Sequence, residues 1–161
     1  MARRFRGGSV HKVDSKGRVS VPASFRRVLE EGDDAFVPGG KVDFVLIYGR
    51  KGKNCLEGYS IKGIDALDEE IAQMERYSPE REALERAVNT QSVYVQVDEN
   101  GRMGLKDLRD MIGITDEAFF AGMGDKFQIW VPEEYEADQK RIEDETGGDP
   151  FALLHKRRRD E

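Results

Sequence analysis

Apolar and polar residues alternate through Val10 and Lys12, break at Asp14-Ser15-Lys16-Gly17, and alternate again at Val19 and Val21. A period of two on both sides of a turn predicts strand, turn, strand. Asp14 can accept from its own backbone there, and Gly17 can take a positive φ. After Pro22 the period lengthens: Phe25, Val28 and Leu29 share a helical face that Gly32 ends. Two apolar runs, 44–48 and 55–59, then flank the glycine- and lysine-rich stretch 49–54 and read as a pair of strands. Ile64, Leu67, Ile71 and Met74 return at helical spacing.

The same order recurs. Val93, Val95 and Val97 lead into Asp98-Glu99-Asn100-Gly101, Met103 and Leu105 lead out, and Leu108, Met111 and Ile112 form a helical face closed by Gly113. Runs 118–121 and 127–130 flank Gly122-Met123-Gly124-Asp125, and Tyr135 with Ile142 mark a weaker stripe after Pro132. The repeat has a signature, Asp14-Ser15-Lys16-Gly17-Arg18 and Asp98-Glu99-Asn100-Gly101-Arg102, 84 residues apart in a chain of 161. One supersecondary unit used twice accounts for such a period. Between the copies, Ser78-Pro79 predicts the cap of a further helix with Leu84, Ala87 and Val88 on one face. Past Thr146, the breaker cluster Gly147-Gly148-Asp149-Pro150 and the charge run from His155 to Glu161 predict a disordered tail.

Composition explains why the copies need each other. Hydrophobic residues make up 38% and charged residues 36%, which leaves only a thin core. Half-domains of about 75 residues rarely bury enough to stand alone, so a shared core is expected. The single Cys55 has no intramolecular disulfide partner and reads as a buried small hydrophobe. No apolar run reaches the roughly 18 residues of a membrane span, and the start Met1-Ala2-Arg3-Arg4 leads into no signal segment. A cytoplasmic protein without a membrane partner is therefore expected.

The net charge of −6 argues against a polyanionic partner until its distribution is considered. Residues 1–27 hold eight cations against Asp14 alone, a net of +7, which leaves −13 on the rest of the chain. Asymmetry of this size marks a partner-binding segment.

In each repeat the Asp stands four residues before the Arg across a tight turn. Its carboxylate can hold turn amides and pair with the guanidinium, which makes the motif a positioning device. Nothing in it resembles a catalytic set. His11 and His155 are the only histidines, and no phosphate loop or metal-ligand spacing is present. No enzyme activity, metal, cofactor or small-molecule substrate is expected. Cations crowd the first copy instead, with Arg3, Arg4 and Arg6 on an arm, Lys12 before the turn, Lys16 within it and Arg18 after it. A two-stranded ribbon with such a tip can follow phosphates and enter a major groove, so these six are the candidate contacts to double-stranded DNA. Asp14, Gly17, Asp98, Gly101 and Arg102 are the candidate positioning residues. The second turn has Asn100 in place of Lys16 and adds Glu99, so it is expected chiefly to complete the fold.

Phe5-Arg6-Gly7, the segment Asp14 to Pro22, Cys55-Leu56 with Tyr59, and the second Asp98-x-x-Gly101-Arg102 together resemble the MraZ family over roughly residues 5–145. That family comprises bacterial transcriptional regulators built from two AbrB-type (SpoVT-AbrB) domains. The resemblance implies a mixed β fold with α: tandem swapped-hairpin β-barrel halves in one pseudo-symmetric core, with peripheral amphipathic helices. It places a first AbrB-like domain at 5–59, connecting helices at 60–90, a second domain at 91–134, a C-terminal helix at 135–146 and the tail at 147–161. It also implies a homo-oligomeric ring bound to repeated promoter sites of the division and cell-wall gene cluster, usually as a repressor, in the cytoplasm and at the nucleoid. Asp14 and Arg18 match the family motif in the first half, and Asp98 and Arg102 match it in the second. Ser60 stands where the family commonly has Pro, and Ile64 stands near a usual Trp.

Two other readings compete. One is an oligomeric interaction scaffold that does not bind DNA, its basic arm pairing with acid between subunits. The other is an AbrB-type or antitoxin-type regulator of a single operon, a class that usually carries one copy of the hairpin per chain.

Overall fold

Alternating stretches become strands and three-four stretches become helices in the computed structural model, which describes residues 3–160. The first half runs β1 (Gly8–Lys12), β2 (Arg18–Ser20), α1 (Ala23–Glu31), β3 (Val42–Ile47), β4 (Cys55–Ser60) and α2 (Ile61–Ala72). After α3 (Pro79–Asn89) the order repeats as β5 (Ser92–Val97), β6 (Arg102–Gly104), α4 (Asp107–Ile112), β7 (Glu117–Gly122), β8 (Phe127–Trp130) and α5 (Pro132–Thr146). A last helix, α6 (Ala152–Asp160), follows.

The strands beside each turn do not form the two self-contained hairpins that the alternation predicts. β1 pairs antiparallel with β7, from Gly8 opposite Ala121 to Lys12 opposite Glu117. β2 pairs with β6, β3 with β5 and β4 with β8, so most partners come from the other half. Only β3–β4 and β7–β8 pair within a half, and across the first turn a single Val13–Val19 bridge remains. Exchanging the two halves maps this pattern of pairs onto itself. The result is a six-stranded antiparallel sheet, β1-β7-β8-β4-β3-β5, and a two-stranded ribbon, β2-β6. Length explains the exchange, because strands of three residues bury too little to hold a hairpin alone.

Both halves feed one core. Phe127 sits at its centre, its ring 5.1 Å from Phe5, 5.4 Å from Phe25, 5.9 Å from Phe44 and 6.0 Å from Phe120. Phe25, Val28 and Leu29 of α1 and Leu108 and Ile112 of α4 are buried on this side. Met111 is not; a six-residue helix buries one i, i+4 row, and Met111 falls beside it, 57% exposed. Elsewhere α2 and α3 cover Val45, Ile47 and Tyr59 with Ile64, Ile71 and Val88. Tyr135 of α5 stacks on Phe119 at 4.3 Å and meets Trp130 edge-on at 5.9 Å.

Where β4 meets β8, a buried polar pair joins the halves. Gln128 lies opposite Glu57 and donates through Nε2 to Glu57 Oε2 at 2.8 Å, while Arg50 Nη1 donates to the same oxygen at 2.9 Å. Trp130 Nε1 completes the chain on Gln128 Oε1 at 2.9 Å. Cys55 is buried nearby, and burial followed by the Glu57 charge pushes its thiol up to about 12. Such a thiol is inert.

The tail over 147–161 departs from the disorder that its breakers and charges predict. Gly147 and Gly148, at φ 86° and 94°, end α5 as expected, but Asp149 Oδ1 then accepts the Phe151 amide at 3.0 Å and a new helix starts. Ala, Leu, Lys and Arg are strong helix formers, which accounts for α6 despite the charge run. Glu161 lies outside the described residues. No helix among the described residues is long and apolar enough to cross a membrane.

Candidate nucleic-acid interface

Each repeated pentapeptide folds into the same turn. In the first, Asp14 Oδ1 accepts the amides of Lys16 and Arg18, each at 2.9 Å, and the Gly17 amide donates to the Asp14 carbonyl at 2.9 Å. In the second, Asp98 Oδ1 accepts the amides of Asn100 at 2.9 Å and Arg102 at 3.0 Å, and the Gly101 amide donates to the Asp98 carbonyl at 3.0 Å. Gly17 and Gly101 take φ values of 79° and 78°, a region that a side chain disfavours.

The two arginines differ. Arg18 Nε donates to Asp14 Oδ2 at 2.8 Å, and its side chain remains 43% exposed. Arg102 is half-buried, and its Nε has no hydrogen-bond partner among the described residues.

The turns are brought together by the ribbon. The Leu105 amide donates to the Gly17 carbonyl at 2.8 Å, and the Val21 amide donates to the Gly101 carbonyl at 2.9 Å, so each half closes the other's turn. Val19 and Met103 face each other inward and are buried. The opposite face of the ribbon therefore carries Arg18 beside Gly104 and Arg102 beside Ser20.

Two further cations reach these turns that the local pattern did not single out. Arg26 of α1 lies over the second turn, close enough that a Cβ on Gly101 would come 2.5 Å from its Nη1. Arg109 of α4 lies over the first, its Nη1 3.4 Å from the Asp14 carbonyl. Nothing local announces either placement, since each arginine serves the turn of the other half. The second turn is thus less acidic in space than in sequence.

The six candidate contacts separate into two groups. Lys12, Lys16 and Arg18 lie at one end of β1, all exposed, with Lys12 opposite Glu117. Arg3, Arg4 and Arg6 lie at the other, where Phe5 bridges Gly124 in the β7–β8 turn. There Arg3 Nε meets Glu31 at 3.3 Å, Arg4 Nη2 would lie 2.9 Å from a Cβ on Gly124, and Arg6 is exposed. The paired backbone from Phe5 to Val13, at about 3.3 Å per residue, sets the groups about 26 Å apart.

Both aspartates ionise more readily than usual. For Asp14 the Arg18 amide is the main cause, with the Arg18 guanidinium adding to it; for Asp98 the Arg102 amide leads. A depressed carboxylate pKa contributes stability that is present above the unfolded value of about 3.9 and is lost as pH falls through the folded value. Wild-type urea midpoints should therefore fall on acidification below about pH 4, and Asp14→Asn with Asp98→Asn should flatten that fall. The effect is small because solvent reaches both groups and screens them. An unchanged acid slope in the double variant would contradict this account.

The turn glycines can be tested separately. Gly17→Ala and Gly101→Ala should each lose about 1–2 kcal/mol to left-handed strain, measured by chemical denaturation. Only Gly101→Ala also displaces Arg26, so it should disturb the ribbon face more.

The sequence profile of a family described as "MraZ protein, putative antitoxin-like" matches residues 4–87. A transcriptional regulator MraZ from Ruegeria pomeroyi is 51% identical over 140 residues, covering 86% of this chain and 84% of that protein. One from Ruegeria sp. (strain TM1040) is 49% identical over 154 residues, covering 92% of each chain. Similarity extends to a transcriptional regulator MraZ from Rhizobium rhizogenes, 35% identical over 146 residues, 88% of this chain and 92% of that one.

Proposed function

Because the chain belongs to the MraZ family, we propose that it is a transcriptional regulator that binds promoter DNA through the outer face of the β2–β6 ribbon. The observation that carries the reading is the convergence of both Asp-x-x-Gly-Arg turns on that ribbon, with Arg18 exposed on its outward side. Asp14 orients Arg18, while Lys12 and Lys16 extend the cationic edge. The arm arginines Arg3, Arg4 and Arg6, about 26 Å away along β1, supply a second line of phosphate contacts. Asp98, Gly101 and Arg102 build the second turn and hold the ribbon in shape.

The finer features follow from the same reading. The exchange of strand partners between halves supports a swapped-hairpin barrel core for two AbrB-type domains. Several copies closed into a ring would present several ribbons to repeated short sites, and only together would they bind tightly. The proposed targets are promoters of the division and cell-wall gene cluster, the action is repression, and the location is the cytoplasm at the nucleoid.

Salt titration tests the electrostatic core of the proposal. Fluorescence anisotropy with DNA from upstream of the protein's own gene should give affinity falling with salt, by a slope of about −2.7 per ribbon engaged if each neutralises about three phosphates. No binding at low salt would favour the scaffold reading, and binding indifferent to salt would overturn the phosphate account.

A further inference from the structure

The outer edge of β5 is apolar where a free edge is usually charged. Val93 is 38% exposed and Tyr94 81%, and with Met111 of α4 they line a groove of about 650 Å³. Asp43 and Asp107 lie in the same groove against the one cation Lys106. Past Val93 and Tyr94 it continues into a hollow of about 250 Å³ that adds Asp65 and Asp68. The surface is apolar in the middle and acidic around it, a combination suited to an apolar segment with cations beside it.

One segment of this chain has that character. Phe151, Leu153 and Leu154 at the start of α6 are 73%, 43% and 53% exposed, and the cations Lys156 and Arg158 come after them. α6 continues from α5, which packs on β7, four strand positions from β5 across the sheet. The groove and the strand on which α5 packs are therefore separated in the sheet order. We propose that α6 of one copy docks in the β5–α4 groove of a second copy, its leucines on Tyr94 and Met111 and its cations beside the four aspartates. Two different surfaces meet in such a contact, so it propagates head to tail and closes a ring where the rotation allows. The inference rests on the homo-oligomeric reading above and supplies an interface for it.

Full-length Tyr94→Asp and Leu154→Asp change exposed positions, and both should retain the wild-type melting profile. By sedimentation velocity each should raise the concentration for half-assembly about tenfold or more, the change expected when roughly 1.4 kcal/mol of contact is lost. Mixed in equal amounts they should form a heterodimer that grows no further, because only one groove and one helix remain intact. As a second measurement, Met111→Cys mixed with Leu153→Cys should cross-link under mild oxidation, with the buried Cys55 silent. Wild-type-like assembly by both variants, or loss with Tyr94→Asp alone, would overturn this interface and leave the ring standing. A wild-type chain that stays monomeric at all concentrations would overturn the ring and the interface together.

Discussion

Phe127→Ala is expected to destabilise the fold by about 3–5 kcal/mol, the range for removing a large aromatic side chain from a packed core. Four phenylalanine rings lie within 6.0 Å of it, contributed by the arm, α1, β3 and β7. Its ring also lies on Gly58, where a Cβ would come within 2.3 Å, so the cavity has no neighbouring side chain to fill it from that side. Against a typical domain stability of about 5–15 kcal/mol, the loss is a large fraction of the total. The check is a chemical-denaturation midpoint with unchanged slope. A loss below about 1 kcal/mol would show that the core relaxes around the cavity. Function follows stability here, because Phe5 anchors the arm of Arg3, Arg4 and Arg6 while Phe25 holds the helix that carries Arg26.

Arg18→Ala separates binding from folding. Its partner Asp14 lies at the surface, where solvent screens an ion pair of this kind, so stability should hardly change. Binding to upstream DNA should fall by about tenfold or more per ribbon engaged, and a multivalent assembly multiplies that loss. Arg102→Ala should do the reverse, because Arg102 is half-buried in the ribbon and its loss reaches the packing of the second turn. Asp14→Ala should fall between them, since it frees Arg18 without removing it. Equal loss of binding from Arg18→Ala and Arg102→Ala, with both folded, would show that the turns are equivalent at the DNA. The Arg26 guanidinium over Gly101 makes that comparison informative, because it brings to the second turn a second cation, which the first turn has in Lys16.

Legibility in the sequence followed the range of the interaction. Phe25, Val28 and Leu29 announced α1 because their spacing is set by one helix, and Ser78 announced α3 because its hydroxyl reaches only to the Arg81 amide. Met111 and α6 misled for the same local reason. A three-four pattern does not say how many rows a short helix will bury, and a charge run does not cancel helix propensity. The Arg26 and Arg109 placements had no local signal at all.

The sequence by itself determined the recurring pentapeptide, the order of elements in each half, and both Asp-x-x-Gly-Arg turns. Each turn takes its shape from hydrogen bonds among its own five consecutive residues, and each glycine supplies the positive φ that the bend requires. Only the tertiary structure decided that β1 joins β7 and β2 joins β6, that the candidate cations divide into two groups, and that each turn receives an arginine from the other half. Those choices depend on which apolar faces bury each other across some 80 to 110 residues of chain, so no local pattern can specify them.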